Sequence, residues 1–234
     1  MEEKEMTPDT QTEDPTPDVQ TEQNAPEAQA ENEESEPKSP EEKRANLFAD
    51  VMEIVETMLV SVFVVLMVFT YLARPVTVDG RSMVPTLNDQ DKLVMLRMLY
   101  TPKQGDIVVV DNHRGNVLDA QGNVVESGRS LNENIIKRVI AVAGQEVTVD
   151  ERAGEVYVDG KALRENYINE RTLTNDGAFI YPITIPEGYV FVMGDNRNKS
   201  TDSRSSCVGL VSEDDVLGNA YFRYYPITDI GFVD

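Results

Sequence analysis

From residue 75 onward, apolar and polar positions alternate in short runs. "KLVML" (92–96), "DIVVV" (106–110), "EVTVD" (146–150), "EVYVDG" (155–160), "YVFVMG" (189–194) and "AYFRYY" (220–225) are rich in Val, Ile and Tyr, and most are bounded by Gly, Pro, Asn or Asp. A period of two is what a strand with one buried face requires, and the bounding residues supply turns. The Asp-Gly pair in "VDGK" (158–161) predicts a tight hairpin turn. "DAQGNVV" (119–125) reads as a loop or hairpin tip. After residue 75 no stretch carries three turns of amphipathic helix, and no repeat of 20–50 residues is visible. Residues 75–234 are therefore predicted to form a mainly β domain, its antiparallel strands coiled into a barrel-like or sandwich arrangement.

The pattern before residue 75 is different. From Thr57 to Ala73, "TMLVSVFVVLMVFTYLA" runs without a charge between Glu56 and Arg74. Its length is at the short end for a membrane-spanning helix, and Ile54 and Val55 extend it. A buried core helix and a cleavable signal peptide are the competing readings. A signal peptide needs a basic leading region and small residues at −3 and −1, yet here the preceding segment is acidic and cleavage after Ala73 would put Tyr71 at −3. A retained single anchor over 46–74 is the expectation. Lys43 and Arg44 precede the span while Arg74 and Arg81 follow it, so the charge count leaves orientation open.

Residues 1–45 hold 15 acidic and 4 basic side chains and 6 of the 12 prolines, with no aromatic residue. Such a segment buries too little apolar surface to offset its ordering entropy, so a disordered acidic tail is expected. The whole chain carries a net charge of −21 with no basic stripe, which argues against nucleic-acid binding. One cysteine, Cys207, and one histidine, His113, exclude an internal disulfide and a His/Cys metal cluster.

Three segments carry candidate chemistry. In "GRSMVPTL" (80–87), Gly80 permits unusual backbone angles and Pro85 stiffens the chain, which presents Ser82 on a tight turn. His113 lies in "DNHRGN", a loop sequence, so another group has to be considered as the base for Ser82. In "NENIIKRVIAVAG", Lys137 shares a strand face with Ile135, Val139 and Ala141, and Arg138 shares the other with Ile136 and Ile140. One of the two charges must point inward, or the strand must bulge. A buried lysine has a depressed pKa and is a competent general base for a serine hydroxyl; a lysine snorkelling at a strand edge is the alternative. Finally, "GDNRNKSTDSRSS" (194–206) offers Ser200 to orient a neutral amine and Asp202 with Arg204 as an ion pair, or is an ordinary solvated loop.

In this order, "GRSMVPTL", "PKQGDIVVV" (102–110), "IIKRVIAVAGQEV", "GDNRNKSTDSR" and "GNAYFRYYP" (218–226) resemble the blocks of the bacterial type I signal peptidases. The resemblance implies a β fold of the signal peptidase type and a membrane-bound serine endopeptidase that needs no cofactor. Ser82 would be the nucleophile and Lys137 the general base. Ser200 would hydrogen-bond Lys137, and Asp202 with Arg204 would form a supporting pair. Substrates would be signal peptides of exported preproteins with small residues at −3 and −1, the Ala-x-Ala type. Met83, Leu87 and Ile136 would line the −1 pocket, with Val78 near −3. The Ser82 N–H would donate to the oxyanion; the hydroxyl some members carry two residues before the nucleophile is replaced here by Gly80. Asn198 stands where an acid often occurs, and Lys199 is expected to face solvent. The interval between the lysine block and the last block leaves room only for a small insertion around 150–186. The family's function implies a single-pass protein of the cell membrane, with its tail in the cytoplasm and its β domain outside, partnered by the lipid bilayer and the export translocon.

Three rival classes make different demands. A tethered, inactive β domain that binds peptides leaves a lysine inside an apolar strand unexplained. A self-cleaving Ser–Lys regulator would lack the span and carry a DNA-binding helix pair. The Ser-x-x-Lys spacing of penicillin-recognising enzymes would place a lysine at 85, where Pro85 stands.

Overall fold

A computed structural model describes residues 40–97 and 100–233. The expected disordered tail therefore lies outside the described residues up to 39. Helix α1 (Pro40–Met67) begins six residues before the anchor boundary expected at 46, and closes in a single wide π turn, Val68–Leu72. Proline is favoured at a first helical position, where its missing N–H costs nothing, and "PEEKRANL" continues with good helix formers. Asn46–Leu72 has a mean hydropathy of 2.3, with none of its apolar window buried in the protein. At 1.5 Å per residue it is long and apolar enough to cross a membrane. Two hydroxyls inside it are satisfied locally, Thr57 by the Glu53 carbonyl and Ser61 by that of Thr57.

Among the described residues every strand pairing is antiparallel, apart from one isolated parallel bridge, Asn116 to Gly209. The strands in chain order are β1 (Ala73–Thr77), β2 (Lys92–Leu96), β3 (Ile107–Asn112), β4 (Asn116–Leu118), β5 (Val124–Glu126), β6 (Glu133–Ala141) and β7 (Glu146–Asp150). They continue as β8 (Glu155–Val158), β9 (Lys161–Ala162), β10 (Ile183–Thr184), β11 (Tyr189–Met193), β12 (Val211–Ser212), β13 (Val216–Tyr225) and β14 (Gly231–Phe232). The main sheet runs β1-β2-β13-β3-β6-β11-β12, with β14 beside β13; a second sheet runs β10-β7-β8-β9, and β4 with β5 form a separate hairpin. Asp159 (φ 51°) and Gly160 (φ 71°) make the expected turn between β8 and β9. "DAQGNVV" is the tip and return strand of the β4–β5 hairpin.

The main sheet is covered on both faces where it carries the site. Along β3, Ile107 and Val109 belong to one core cluster with Met83, Leu87 and Leu93. Val108 and Val110 belong to another with Ile135, Val139 and Val192. A third cluster, including Phe179, Ile185 and Phe191, joins the second sheet to the first. From Lys137 to Ala141 both faces of β6 are covered, while Glu133 and Asn134 at its start are exposed and Ile136 is half-buried. Lys137 and Arg138 are both buried, at 4% and 2% exposure, so both charges point inward where the strand pattern demanded at least one.

Candidate active site

The nucleophile loop, residues 78–91, leaves β1 and returns to β2. Its neck is closed by the Val78 N–H donating to the Asp91 carbonyl (2.8 Å) and the Gln90 N–H to the Val78 carbonyl (2.9 Å). Arg223 on β13 pairs with Asp91 at 2.9 Å and donates to the Thr86 carbonyl at 3.1 Å. Met83 and Leu87 plug this loop into the core. Ser82 is left half-buried at the crest.

A second polar segment holds the crest from behind. The Asn196 N–H donates to the Ser82 carbonyl (2.9 Å), and its side-chain amide donates to the Arg81 carbonyl (2.9 Å). Gly194 is required here: a Cβ at that position would collide with the Ser82 carbonyl and with Ser200. Asp195 ties the two blocks together. It accepts the Thr86 hydroxyl at 2.5 Å and takes both Nε and Nη2 of Arg138, at 2.9 and 2.8 Å. Arg138 was named from the sequence as a charge inside the apolar strand, but Asp195 was not singled out as its partner. The signal was there, since a second charge inside the apolar run of β6 needs a buried partner.

Lys137 reaches the other way. Its Nζ lies 2.9 Å from Ser82 Oγ and 3.1 Å from the Ile136 carbonyl. Burial pushes its ammonium down from 10.5 to about 8, with Arg204 adding to the lowering and Asp202, Glu133 and Asp195 opposing it. An amine with that pKa is neutral in a useful fraction at neutral pH and can take a proton from a hydroxyl at hydrogen-bond distance. Asp202 and Arg204 make a two-point ion pair, Nε and Nη2 each 2.8 Å from a carboxylate oxygen, with both residues buried. Burial works to raise the Asp202 pKa, but Arg204, the Gly194 N–H and the nearby Ser200 hydroxyl bring it below its ordinary value.

Ser200 departs from expectation. Its Oγ is buried, packs near Gly194 and serves the Asp202 carboxylate, and it makes no hydrogen bond to Lys137. The hydroxyl faces the Asp202 side of the lysine, where that carboxylate is already satisfied by Arg204 and Gly194. His113 is exposed and engages Asp111 and Asn132, both at 2.8 Å.

A cleft of about 620 Å³ opens over Ser82 and Lys137. Val78, Met83 and Ile136 line it, together with Val76 and Val109. Leu87 does not: it is fully buried in the core beneath the loop, because the turn after Pro85 directs it away from the cleft. Asp79, Arg81, Glu133 and the exposed Lys199 form a charged rim. The Gly80 N–H is occupied by Asp89 Oδ1 (2.9 Å), whereas among the described residues the Ser82 N–H donates to no protein group. Among the described residues no group of His, Cys, Asp and Glu could hold a metal ion.

A model of the signal peptidase, peptidase S26, family matches residues 51–225. A probable signal peptidase I-1 from Synechocystis is 36% identical over 184 residues, 77% of this chain and 86% of the relative. A signal peptidase I from Bacillus licheniformis is 32% identical over 206 residues, 83% of this chain and 99% of the relative. A crystal structure of a signal peptidase I from Enterococcus faecalis is 25% identical and covers 51% of this chain and 97% of its own, with a TM-score of 0.36.

Proposed function

Because the chain belongs to the signal peptidase family, peptidase S26, and is an enzyme that cleaves signal peptides from preproteins, we propose that it does so with a Ser82–Lys137 dyad, after small residues at −3 and −1. The observation that carries this reading is the 2.9 Å contact between Ser82 Oγ and a buried Lys137 Nζ whose pKa is pushed down to about 8. With Lys137 neutral, the serine hydroxyl donates to Nζ. Oγ attacks the scissile carbonyl as Nζ takes its proton, and the unoccupied Ser82 N–H stabilises the oxyanion. The lysine then returns the proton to the leaving amine, and the acyl-enzyme forms. Water, deprotonated by the same amine, releases the product.

Two strand edges border the cleft. Among the described residues β1 ends the main sheet and pairs only with β2, and β6 pairs with β11 only from Arg138 onward. An extended substrate segment would add its backbone to these edges, with alternate side chains entering the pockets near Met83, Ile136 and Val78. Branched apolar side chains of Val76, Val78 and Ile136 in the lining of the cleft that holds Ser82 support a preference for small residues.

In this reading residues 1–45 form the cytoplasmic tail, 46–74 the membrane anchor and 75–234 the catalytic domain on the outer side, with a small insertion at 150–186. The enzyme would work in the cell membrane, its cleft held close to the bilayer and the translocon from which preproteins emerge. Processing of an Ala-x-Ala preprotein by the full chain in detergent and lipid tests the dyad. Ser82→Ala and Lys137→Met, each folded, are expected to abolish cleavage at that bond. Activity surviving in either variant removes that residue from the mechanism.

A further inference from the structure

Between β9 and β10 the chain has no regular structure, yet residues 165–178 are bonded step by step to the segment 194–204 that holds the site together. Glu165 pairs with Arg197 at 2.6 Å, and Thr172 accepts from Arg197 at 3.0 Å. The Asn169 N–H reaches the Asp195 carbonyl at 3.4 Å. Arg204 donates to the Thr174 carbonyl at 2.9 Å, and the Ala178 N–H to the Arg204 carbonyl at 3.0 Å.

Asn198 uses both ends of its amide on the same segment. Its Nδ2 donates to the Arg171 carbonyl (3.0 Å) and to Glu170 (3.1 Å), while its Oδ1 accepts the Leu173 N–H (2.9 Å). A carboxylate there could serve only as acceptor and would face Glu170 across a hydrogen-bond distance. The asparagine that departs from the family pattern thus matches what this particular segment presents.

The centre of the contact is Tyr167. Its half-buried ring lies 4.0 Å from the Arg138 guanidinium and 5.9 Å from that of Arg197, two arginines that are 2% and 0% exposed. Arg138 is the neighbour of Lys137 and is clamped at its edge by Asp195 and, through Nη1, by the Gly105 carbonyl (2.8 Å); the ring covers its face. A guanidinium held at edge and face has one orientation, and a stacked pair of this kind is worth most when desolvated. Asp195 in turn holds Thr86 of the nucleophile loop, and its neighbour Asn196 holds the Ser82 carbonyl.

We propose that residues 165–178 are a strap that positions the catalytic pair, with Tyr167 as the positioning residue: its ring locks Arg138, and through Asp195 sets the reach between Lys137 and Ser82. Tyr167 touches neither reacting group. The proposal rests on the dyad reading above.

The test uses the full chain in detergent with phospholipid, cleaving an Ala-x-Ala preprotein, with kcat expressed per titrated active site. Tyr167→Leu is expected to lower kcat by about 10- to 100-fold, the scale of a small misplacement of reacting groups. KM should change little, the acid limb of the pH profile should move, and Tyr167→Phe should behave as wild type. Asn198→Asp, which loosens the strap without touching the ring, is expected to lower kcat per site in the same direction. The proposal is overturned by wild-type kcat and pH profile in folded Tyr167→Leu. It is equally overturned if the loss lies entirely in fewer titratable sites, or if Tyr167→Phe shares it. An active Lys137→Met would sink the dyad reading instead; a dead Lys137→Met beside a wild-type-like Tyr167→Leu would sink the strap alone.

Discussion

Replacing Lys137 by methionine removes a buried amine while leaving a side chain of similar length. Folding takes that amine from 10.5 to about 8, chiefly through burial. Each unit corresponds to about 1.4 kcal/mol, so the protonated form is disfavoured in the fold by about 3 kcal/mol. Below pH 8 both folded and unfolded chains hold the proton, and the full penalty applies. Between pH 8 and 10.5 only the unfolded chain still holds it, so wild-type stability rises with pH across that window. Methionine gives up the hydrogen bonds to Ser82 and the Ile136 carbonyl, at about 1 kcal/mol each, and has no titrating penalty. Lys137→Met is therefore expected to be more stable than wild type by about 1 kcal/mol at pH 7, and this advantage should vanish or reverse by pH 10. Urea unfolding of the full chain in detergent, followed by tyrosine fluorescence and circular dichroism at both pH values, measures the difference. A wild-type-minus-variant difference that stays flat from pH 7 to pH 10 would refute the reasoning, because it would mean Lys137 titrates alike in both states.

Further outcomes follow from the packing around the dyad. Gly194→Ala drives a methyl into the Ser82 carbonyl and Ser200, and should cost about 1–3 kcal/mol of stability and lower cleavage per active site; thermal melts and turnover check both. Asp202→Asn leaves Arg204 buried without its charge partner and should destabilise by about 3–5 kcal/mol in urea titrations. Because the folded Asp202 pKa is depressed, its contribution is present above the ordinary value of 3.8 and fades as pH falls through the lower folded value; the gap between wild type and Asp202→Asn should narrow there. Ser200→Ala removes a buried hydroxyl that supports the Asp202 carboxylate, about 1 kcal/mol, so the melting temperature should fall by a few degrees; an unchanged melting temperature would show that the hydroxyl does not serve Asp202.

Periodicity exposed most of the β domain because Val- and Ile-rich strands bounded by turn residues leave a local signature. "KLVML", "EVTVD" and "YVFVM" became β2, β7 and β11 with little change at their ends. Strand order was not legible, since β13 enters between β2 and β3 through pairings more than a hundred residues apart in sequence. Ser82 and Lys137 stood out because one sits on a turn and the other breaks an apolar strand. That both Lys137 and Arg138 are buried was not legible: a strand pattern shows alternation, but only the neighbouring layers decide whether one face or both are covered. Asp195 and Asn196 looked like ordinary polar loop residues until the nucleophile loop came within reach. Ser200 and Leu87 illustrate the remaining gap, because a residue's block places its backbone and not the direction of its side chain.

The central claim is that Lys137, and not His113, accepts the Ser82 proton. The pH dependence of kcat/KM for an Ala-x-Ala preprotein, from pH 6 to 10, tests it most directly when wild type, Lys137→Met and His113→Ala are run side by side. The expected result is a rise to a plateau above a pKa of about 8 in wild type and His113→Ala, with no cleavage at any pH in Lys137→Met. Cleavage that persists in Lys137→Met, or an acid limb that disappears with His113→Ala, would contradict it.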